Sequence, residues 1–212
     1  MTRWDEKRLK ILDAARYAFL KRGYEGTTME MIAADAAVSK QTVYAHFSSK
    51  GQLFMQIILD TVGETVTAMV EGASRVLRTD DGLEQDLIQL AENLVRSIWQ
   101  PRVLELRRLV IGEAGRFQEL GAAYFNRGFL GGLDALAGSL AELFTREGLA
   151  LDDPRQAAEH LAGLVLWVPM NRAMFTGDDT LPPAEEITRI ATAGVRVFLA
   201  AYSPADASRL GA

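Results

Sequence analysis

Residues 27–50, TTMEMIAADAAVSKQTVYAHFSSK, constrain the fold of this chain more than any other part of its sequence. Thr27 and Glu30 have the spacing of a capping box, in which two side chains satisfy free backbone N–H groups at the start of a helix. Ser39 is a favourable N-cap for a second helix. A second capping box, Ser49 with Gln52, opens a third helix. The segment therefore predicts two short helices joined by a tight turn, followed by the start of a long one.

The second short helix, residues 39–47, combines an apolar back with a polar front. Val43 and Phe47 lie four residues apart and share one face, which we expect to be buried. The other side carries hydrogen-bond donors and two rings, at Lys40, Gln41, Thr42, Tyr44, Ala45 and His46. Lys can donate to guanine and Gln can pair with adenine in the major groove of DNA. A short helix of this kind is typical of a helix-turn-helix motif. A solvated helix in an ordinary bundle is the alternative.

The remainder of the chain also predicts helices, because helix-favouring residues dominate and no segment alternates with period two. Apolar spacing and Gly or Pro breaks place these helices at residues 5–21, 50–78, 82–99, 101–113, from 118 onward, 154–175 and 183–202. We predict an all-α fold in which a three-helix head is joined by a long helix to a larger helical body. The predicted boundaries are a head at 1–50, a body at 51–203 and a frayed tail at 204–212.

Composition and charge limit the classes of protein that fit. The chain has 212 residues, 49% of them hydrophobic, and no cysteine, which excludes disulfides and cysteine nucleophiles. The start of the chain lacks the apolar segment of a signal peptide, and the longest apolar run, 162–170, is short for a membrane span. We expect a soluble, cytoplasmic protein that has no membrane partner. Residues 1–50 carry a net charge of +3, which leaves −8 for the rest of a chain whose total is −5.

Two segments resemble one protein family. Residues 23–54, GYEGTTMEMIAADAAVSKQTVYAHFSSKGQLF, resemble the DNA-binding domain of the TetR/AcrR family of bacterial transcriptional regulators. Residues 106–128 resemble the AefR-like subgroup of that family, with departures at Gln118 and Phe129, where the subgroup often has proline. The resemblance implies phosphate contacts from Thr28, Thr42, Tyr44 and Lys50. It implies that Lys40, Gln41, Ala45 and His46 lie nearest the bases, and Ser39 belongs to the same predicted DNA-binding set.

The resemblance also implies a homodimer formed by the last two helices of each subunit. Residues 161–170 support this prediction because a helix that is apolar all round must be buried on more than one side. Pro169 lies inside that helix, removes one backbone hydrogen bond and is expected to kink it. The predicted interface comprises Leu161, Leu164, Val168, Ile187, Ile190, Ala191, Gly194, Val195 and Phe198.

The resemblance implies that the body contains a pocket for a small effector, and the candidate lining is mostly apolar and aromatic, as is usual for ligand pockets. The candidate lining residues are Trp99, Phe117, Tyr124, Phe125, Phe129, Trp167, Met170, Asn171 and Met174. Aromatic residues at helical spacing also occur as plain core, and for each of these residues that alternative stays open.

No catalytic constellation, cofactor motif or metal-ligand spacing is found in the sequence. We therefore predict a regulator and not an enzyme, with no cofactor and no metal. Its expected partners are double-stranded operator DNA, a second copy of itself and the effector, which would release it from DNA as a repressor. The alternatives are a constitutive DNA-binding protein without an effector and a small helical enzyme.

Overall fold

Helices account for nearly all of the regular structure in this protein. The computed structural model describes residues 2–79 and 81–202 and contains, within them, α-helices, one π-helix and no strand. The predicted all-α fold is therefore confirmed. The predicted tail, 204–212, lies outside the described residues. The α-helices are α1 (Arg3–Arg22), α2 (Met29–Asp35), α3 (Lys40–His46), α4 (Lys50–Val76), α5 (Leu83–Ile98), α6 (Pro101–Ala114), α7 (Gln118–Ala123), α8 (Gly131–Arg146), α9 (Pro154–Thr176) and α10 (Ala184–Tyr202). The π-helix is Tyr124–Leu130.

The chain divides into two compact units, and α4 and α6 each contribute to both. The first unit comprises Met1–Val62 with Glu105–Asn126, and the second comprises Gly63–Leu104 with Arg127–Ala212. The boundaries predicted from the sequence, at residues 50 and 203, stay a prediction.

In the first unit, α1 packs against α2, and α2 packs against α3. Its core is made of fully buried aliphatic and aromatic side chains, among them Ile11, Phe19, Ile32, Val43 and Phe54. The rings of Phe19 and Phe54 lie 4.8 Å apart between centroids. This packing orients the short helices, because a helix of seven residues is not stable on its own.

In the second unit, α10 packs against α5 and α9, and α8 packs against α9. The core is continuous, and its fully buried members include Leu87, Leu140, Leu161, Val195 and Phe198. Gly194 lets α9 and α10 approach closely, since a Cβ atom there would lie 2.7 Å from Cγ1 of Val165. A larger residue at Gly194 would therefore require Val165 or one of the two helices to shift.

A buried charge ties α5 to α8 within the second unit. The Asp86 carboxylate is fully buried and forms an ion pair with Arg146. The hydroxyl of Thr79 donates to Asp86 over 3.0 Å, and Arg146 also donates to the Thr79 carbonyl oxygen over 2.8 Å. A buried carboxylate needs such partners, because removing one of them leaves an uncompensated charge inside the protein.

Two predicted caps differ from the structure. Thr27 was expected to cap α2, but Thr28 does so, with its hydroxyl oxygen accepting from Met31 N at 3.2 Å. Thr27 is instead buried, and its hydroxyl lies within hydrogen-bond distance of the Gly23 and Ala18 carbonyl oxygens. At α4, Ser49 caps as predicted, but the Gln52 side chain accepts from the backbone of Ser48 and not of Ser49.

Helix α9 continues on both sides of Pro169, so the proline is accommodated inside it.

Helix α4 has the length and composition to cross a membrane, with 27 residues and a mean hydropathy of 1.4 over an 18-residue window, of which 39% is buried. Core helices of globular proteins share these properties. Helix α4 supplies Leu53, Phe54 and Ile57 to the core of the first unit, which accounts for its apolar composition.

Candidate functional site

The turn between α2 and α3 sets the orientation of α3. Ala37 lies in the left-handed region, with φ of 52°, where residues with a side chain are strained. Ser39 then caps α3, and its hydroxyl oxygen accepts from Thr42 N over 3.1 Å. Val43 and Phe47 are both buried, as the sequence predicted. The opposite face of α3 is consequently directed away from the unit's own core.

Four side chains form the exposed outer face of α3: Lys40, Gln41, Tyr44 and Ala45. The Lys40 ammonium forms an ion pair with Glu30 of α2 and lies 5.7 Å from the ring centroid of Tyr44. The hydrogen bond from Lys40 lowers the pKa of Glu30, and the same bond raises the pKa of Lys40. This ion pair holds the Lys40 side chain beside α2.

Two threonines predicted to contact phosphates are held by local hydrogen bonds. Thr28 is exposed and caps α2. Thr42 is half-buried, and its hydroxyl lies 2.8 Å from that of Ser39. The capped starts of both helices leave backbone N–H groups directed outward, an arrangement that suits phosphate oxygens.

Lys50 is engaged inside the first unit. Its ammonium donates to the carbonyl oxygens of Tyr24 over 2.8 Å and of Thr27 over 2.9 Å. It also lies 4.3 Å from the ring centroid of Tyr24. Lys50 therefore joins the start of α4 to the loop between α1 and α2, a structural role that the sequence did not predict.

His46 is also engaged within the protein. Its ring lies 3.7 Å from the ring of Trp4, measured between centroids, and its Nε2 atom is buried with no hydrogen-bond partner among the described residues. Burial lowers the pKa of His46, and the nearby charges of Arg8 and Lys7 add to this effect. Sequence reasoning missed Trp4. The Thr2–Asp5 capping box, readable in the sequence, would have placed it in the first turn of α1.

The junction of α6 and α7 packs on the α1–α2 loop inside the first unit. The ring of Phe117 meets that of Tyr24 edge-on at 4.6 Å between centroids, and Arg116 forms an ion pair with Glu25 at 3.4 Å. Burial raises the pKa of Tyr24, and the charges of Glu25 and Glu113 raise it further. Phe117, which was predicted to line a pocket, thus lies against Tyr24 in this unit.

The predicted interface residues fall on two different faces of α9 and α10. Six of them are buried within their own chain: Leu161, Ile187, Ala191, Gly194, Val195 and Phe198. They lie on the sides of α9 and α10 that face each other and α5. Leu164 and Val168 are exposed, and Ile190 is half-buried.

The exposed side of α9 and α10 is strongly apolar. Val168 is 72% exposed, Trp167 is 71% exposed and Phe175 is 86% exposed, while Leu164 and Val197 are exposed to a smaller degree. A groove of about 500 Å³ lies on this side. It is bordered by Leu164, Val168, Ile190, Val197, Arg172 and Glu186, among others. We define the outer face of α9–α10 as this groove together with Trp167 and Phe175.

The residues predicted to line an effector pocket are dispersed. Phe117, Tyr124 and Phe125 belong to the first unit, and the other six belong to the second. Of all nine, Trp99 alone borders the groove of the outer face, where its indole N–H donates to the carbonyl oxygen of Thr180 over 3.0 Å. Met170 is buried in the core of the second unit, whereas Trp167 lies on its surface. The predicted pocket stays a prediction.

Solved structures with a similar fold include regulators. A structure from Mesorhizobium loti, described as a TetR-family transcriptional regulator, is 39% identical with a TM-score of 0.86, covering 95% of this chain and 99% of that one. The flavonoid-responsive regulator FrrA is 29% identical with a TM-score of 0.71, covering 93% of this chain and 97% of that one.

Curated relatives match over shorter segments. The transcriptional regulator TtgR of Pseudomonas putida is 33% identical over 108 residues, which are 51% of this chain and 48% of that protein. The transcriptional activator FasR of Mycolicibacterium smegmatis is 39% identical over 83 residues, which are 39% of this chain and 36% of that protein. The chain therefore spans about half or less of the length of these relatives.

Family comparisons divide the chain into two matched segments. Residues 11–57 match the family described as bacterial regulatory proteins, tetR family, and include α2, α3 and the start of α4. Residues 85–204 match the AefR-like transcriptional repressor, C-terminal domain. Proteins of these families are DNA-binding transcriptional regulators with a helix-turn-helix domain. The chain belongs to the TetR family, and its C-terminal part is of the AefR-like type.

Proposed function

We propose that this protein is a dimeric transcriptional repressor that binds a near-palindromic operator and leaves it when a small effector binds. The observation that carries this proposal is the outer face of α3. A seven-residue helix, capped by Ser39 and packed from behind by Val43, presents Lys40, Gln41 and Tyr44 to the exterior. This is the geometry of a helix that enters the major groove by its N-terminal residues.

The outer face of α3 supplies both kinds of DNA contact. Lys40 and Gln41, in the first turn, have the donors that recognise guanine and adenine, and Ala45 offers a methyl group to thymine. Thr28, Thr42 and Tyr44 offer hydroxyl groups to phosphates, which set position and not sequence. We propose Ser39 and the free N–H groups of α3 for the same phosphates. His46 and Lys50, which are engaged within the head, act indirectly by holding α3 and α4 in place.

The outer face of α9–α10 supports the dimer. Contiguous exposed apolar patches on soluble proteins often mark interaction sites. In a two-fold dimer the same surface is used by both copies, so the four helices would bury Val168, Trp167 and Phe175 together. Two heads carried by such a dimer would meet two half-sites, which explains why a near-palindromic operator is expected. A cytoplasmic location follows from this role.

An effector of apolar or aromatic character is proposed from the comparison with FrrA, which is described as flavonoid-responsive and is 29% identical along nearly the whole chain. An effector releases the protein only if it binds the DNA-incompatible shape more tightly, and DNA must then weaken effector binding by the same factor. The Tyr24–Phe117 contact is a candidate for coupling effector binding to DNA binding, because it joins the two segments that match the two family domains. We propose repression and not activation because the C-terminal part matches a family described as transcriptional repressors.

Selection from a random duplex library tests the proposal. The purified protein is expected to enrich an inverted repeat, and Tyr44→Ala is expected to bind the enriched duplex about tenfold less tightly through loss of a phosphate contact and an aromatic side chain. Tyr17→Ala, which removes another exposed tyrosine, on α1, is the control. Absence of any enriched sequence would refute the proposal.

The effector is tested separately, with a flavonoid such as naringenin as the probe. Its addition should release the enriched duplex from the protein, and Phe117→Ala should reduce that release without abolishing DNA binding. If the probe binds the protein but leaves DNA affinity unchanged, that compound class is excluded. If no apolar compound that binds the protein changes DNA affinity, it is a constitutive DNA-binding protein.

A further inference from the structure

The first turn of α1 is fixed by its own cap. The hydroxyl oxygen of Thr2 accepts from Asp5 N over 3.2 Å, and the Asp5 carboxylate accepts from Thr2 N over 2.8 Å. This reciprocal pair satisfies two free backbone donors and lowers the pKa of Asp5, chiefly through its hydrogen bond from the Thr2 backbone. Trp4 lies within this turn and is held in place by it.

The capped turn lies against the C-terminal end of α3. The Trp4 ring is 3.7 Å from the His46 ring between centroids, with 35° between their planes. One turn further along α1, the guanidinium of Arg8 lies 5.4 Å from the centroid of the Phe47 ring. Two residues of α1 thus contact two consecutive residues at the end of α3.

These contacts serve orientation more than stability. Trp4 is 53% exposed, so it contributes little to the core, and the Nε2 atom of the His46 ring that it contacts is buried without a partner among the described residues. A buried polar atom without a hydrogen bond costs free energy. Such an arrangement is maintained at a cost, and its effect is to place one ring on another at the end of the helix that faces DNA.

Helix α3 needs support of this kind because it has seven residues. Val43 and Phe47 hold it from below, but an axis fixed on one side can still tilt. A contact at the C-terminal end of α3 would restrict that tilt. Tyr44 and Ala45 immediately precede His46, so any movement of His46 would displace them as well.

We propose that Trp4 is a positioning residue for DNA recognition, whose indole ring holds His46 and thereby fixes the C-terminal end of α3. The inference rests on the proposed function, which assigns DNA binding to the outer face of α3. Trp4 acts through His46 and does not read bases.

The test compares Trp4→Ala and Trp4→Phe with Tyr17→Ala, which removes another exposed aromatic of α1. Operator affinity is measured at several salt concentrations in the full-length protein. The His46 imidazole is titrated by NMR in the same variants, with its signals assigned by His160→Gln, since the chain has two histidines. We expect the Trp4 variants to remain folded, because Trp4 is half exposed and its loss removes little of the core.

Trp4→Ala is expected to weaken operator binding about five- to tenfold, as loss of an aromatic contact does, with an unchanged salt dependence. The pKa of His46 should rise toward its ordinary value, because its ring becomes solvated. Trp4→Phe should restore most of both properties, and Tyr17→Ala should change neither.

Three results would overturn the inference. One is a His46 titration or an operator affinity that Trp4→Ala leaves unchanged. Another is a smaller salt dependence of operator affinity in Trp4→Ala, by about one released counterion. That result would mean that Trp4 orders a phosphate contact directly. The third is a Trp4→Phe variant as weak as Trp4→Ala. If the unmodified protein selects no duplex at all, the proposed function itself has failed, and the His46 titration still shows whether the ring contact exists.

Discussion

Lys40 and Lys50 each stand at the start of a helix, yet their surroundings give them different roles. The Lys40 side chain is exposed and paired with one surface carboxylate, that of Glu30. Lys50 donates to two backbone carbonyl oxygens inside the head. The sequence could not distinguish them, because Lys50 meets residues 23 and 26 positions earlier in the chain, and such contacts leave no local pattern.

Replacing Lys50 should therefore affect stability first. Lys50→Ala is expected to lower the free energy of unfolding of the head by about 2 kcal/mol, because two carbonyl oxygens lose a charged donor. Thermal or urea unfolding measures this change. Lys21→Ala, which removes an exposed lysine of α1, serves as the control. If Lys50→Ala is as stable as the unmodified protein but binds the operator more weakly, Lys50 contacts a phosphate, as the resemblance implies.

The Glu30–Lys40 pair predicts a gain in binding. Glu30→Gln should strengthen operator binding about two- to fivefold at low salt. In the unmodified protein Lys40 must break its ion pair with Glu30 before it binds DNA, and in the variant this cost is absent. Asp13→Asn, an equal change of charge on α1, is the control for general electrostatics. Equal gains in the two variants would show that the pair itself has no influence on Lys40. Fluorescence anisotropy with a labelled operator duplex provides the measurement.

At the scale of elements, capping residues and apolar spacing predicted the helices well. Gln118 begins α7 without the proline that the resemblance led us to consider, and α4, α5 and α9 begin within about one residue of their predicted positions. The facing of a helix was harder to predict. Ile187, Ala191 and Val195 form a clear stripe, but a stripe alone does not say whether it faces α5 or a second subunit. The contacts of α10 with α5 and α9 decided this.

The turn before α3 gives a prediction at the same scale. Ala37→Gly should raise the free energy of unfolding by up to about 1 kcal/mol, because glycine adopts the left-handed conformation of this turn without steric strain. The gain is partly offset by the greater freedom of glycine in the unfolded chain. Ala34→Gly, inside helix α2, should have the opposite sign. Urea unfolding of both variants measures the difference, and a loss of stability in Ala37→Gly would contradict the strain at this turn.

At the scale of the whole molecule, the family could be predicted mainly from about fifty residues near the start of the chain, and the all-α fold from helix-favouring residues along its whole length. The effector pocket stays a prediction, because its candidate residues are distributed between two units and no local sequence pattern shows which of them line one cavity. An apolar side of α9 and α10 was predicted, and exposed apolar residues lie there, Trp167 and Phe175 among them. Six of the residues predicted for the interface are buried within the chain, and the interface itself stays a prediction.

The dimer prediction follows from that surface. Val168→Glu should weaken dimerisation by about 3 kcal/mol or more, because the interface would bury an unpaired charge. Sedimentation at micromolar concentration should then show monomers and, with them, much weaker operator binding. Val70→Glu, on the exposed side of α4, is the matched control and should remain dimeric. A dimeric Val168→Glu protein would place the interface elsewhere.

The most direct test of the central claim is the base preference of the protein at each operator position, obtained by sequencing duplexes selected from a random library. We predict an inverted repeat for the unmodified protein. Lys40→Ala and Gln41→Ala should each relax the preference at one symmetric pair of positions, by about 1–3 kcal/mol per base pair. Thr28→Ala should weaken all sequences alike. A profile that Lys40→Ala and Gln41→Ala both leave unchanged would show that α3 does not read the operator.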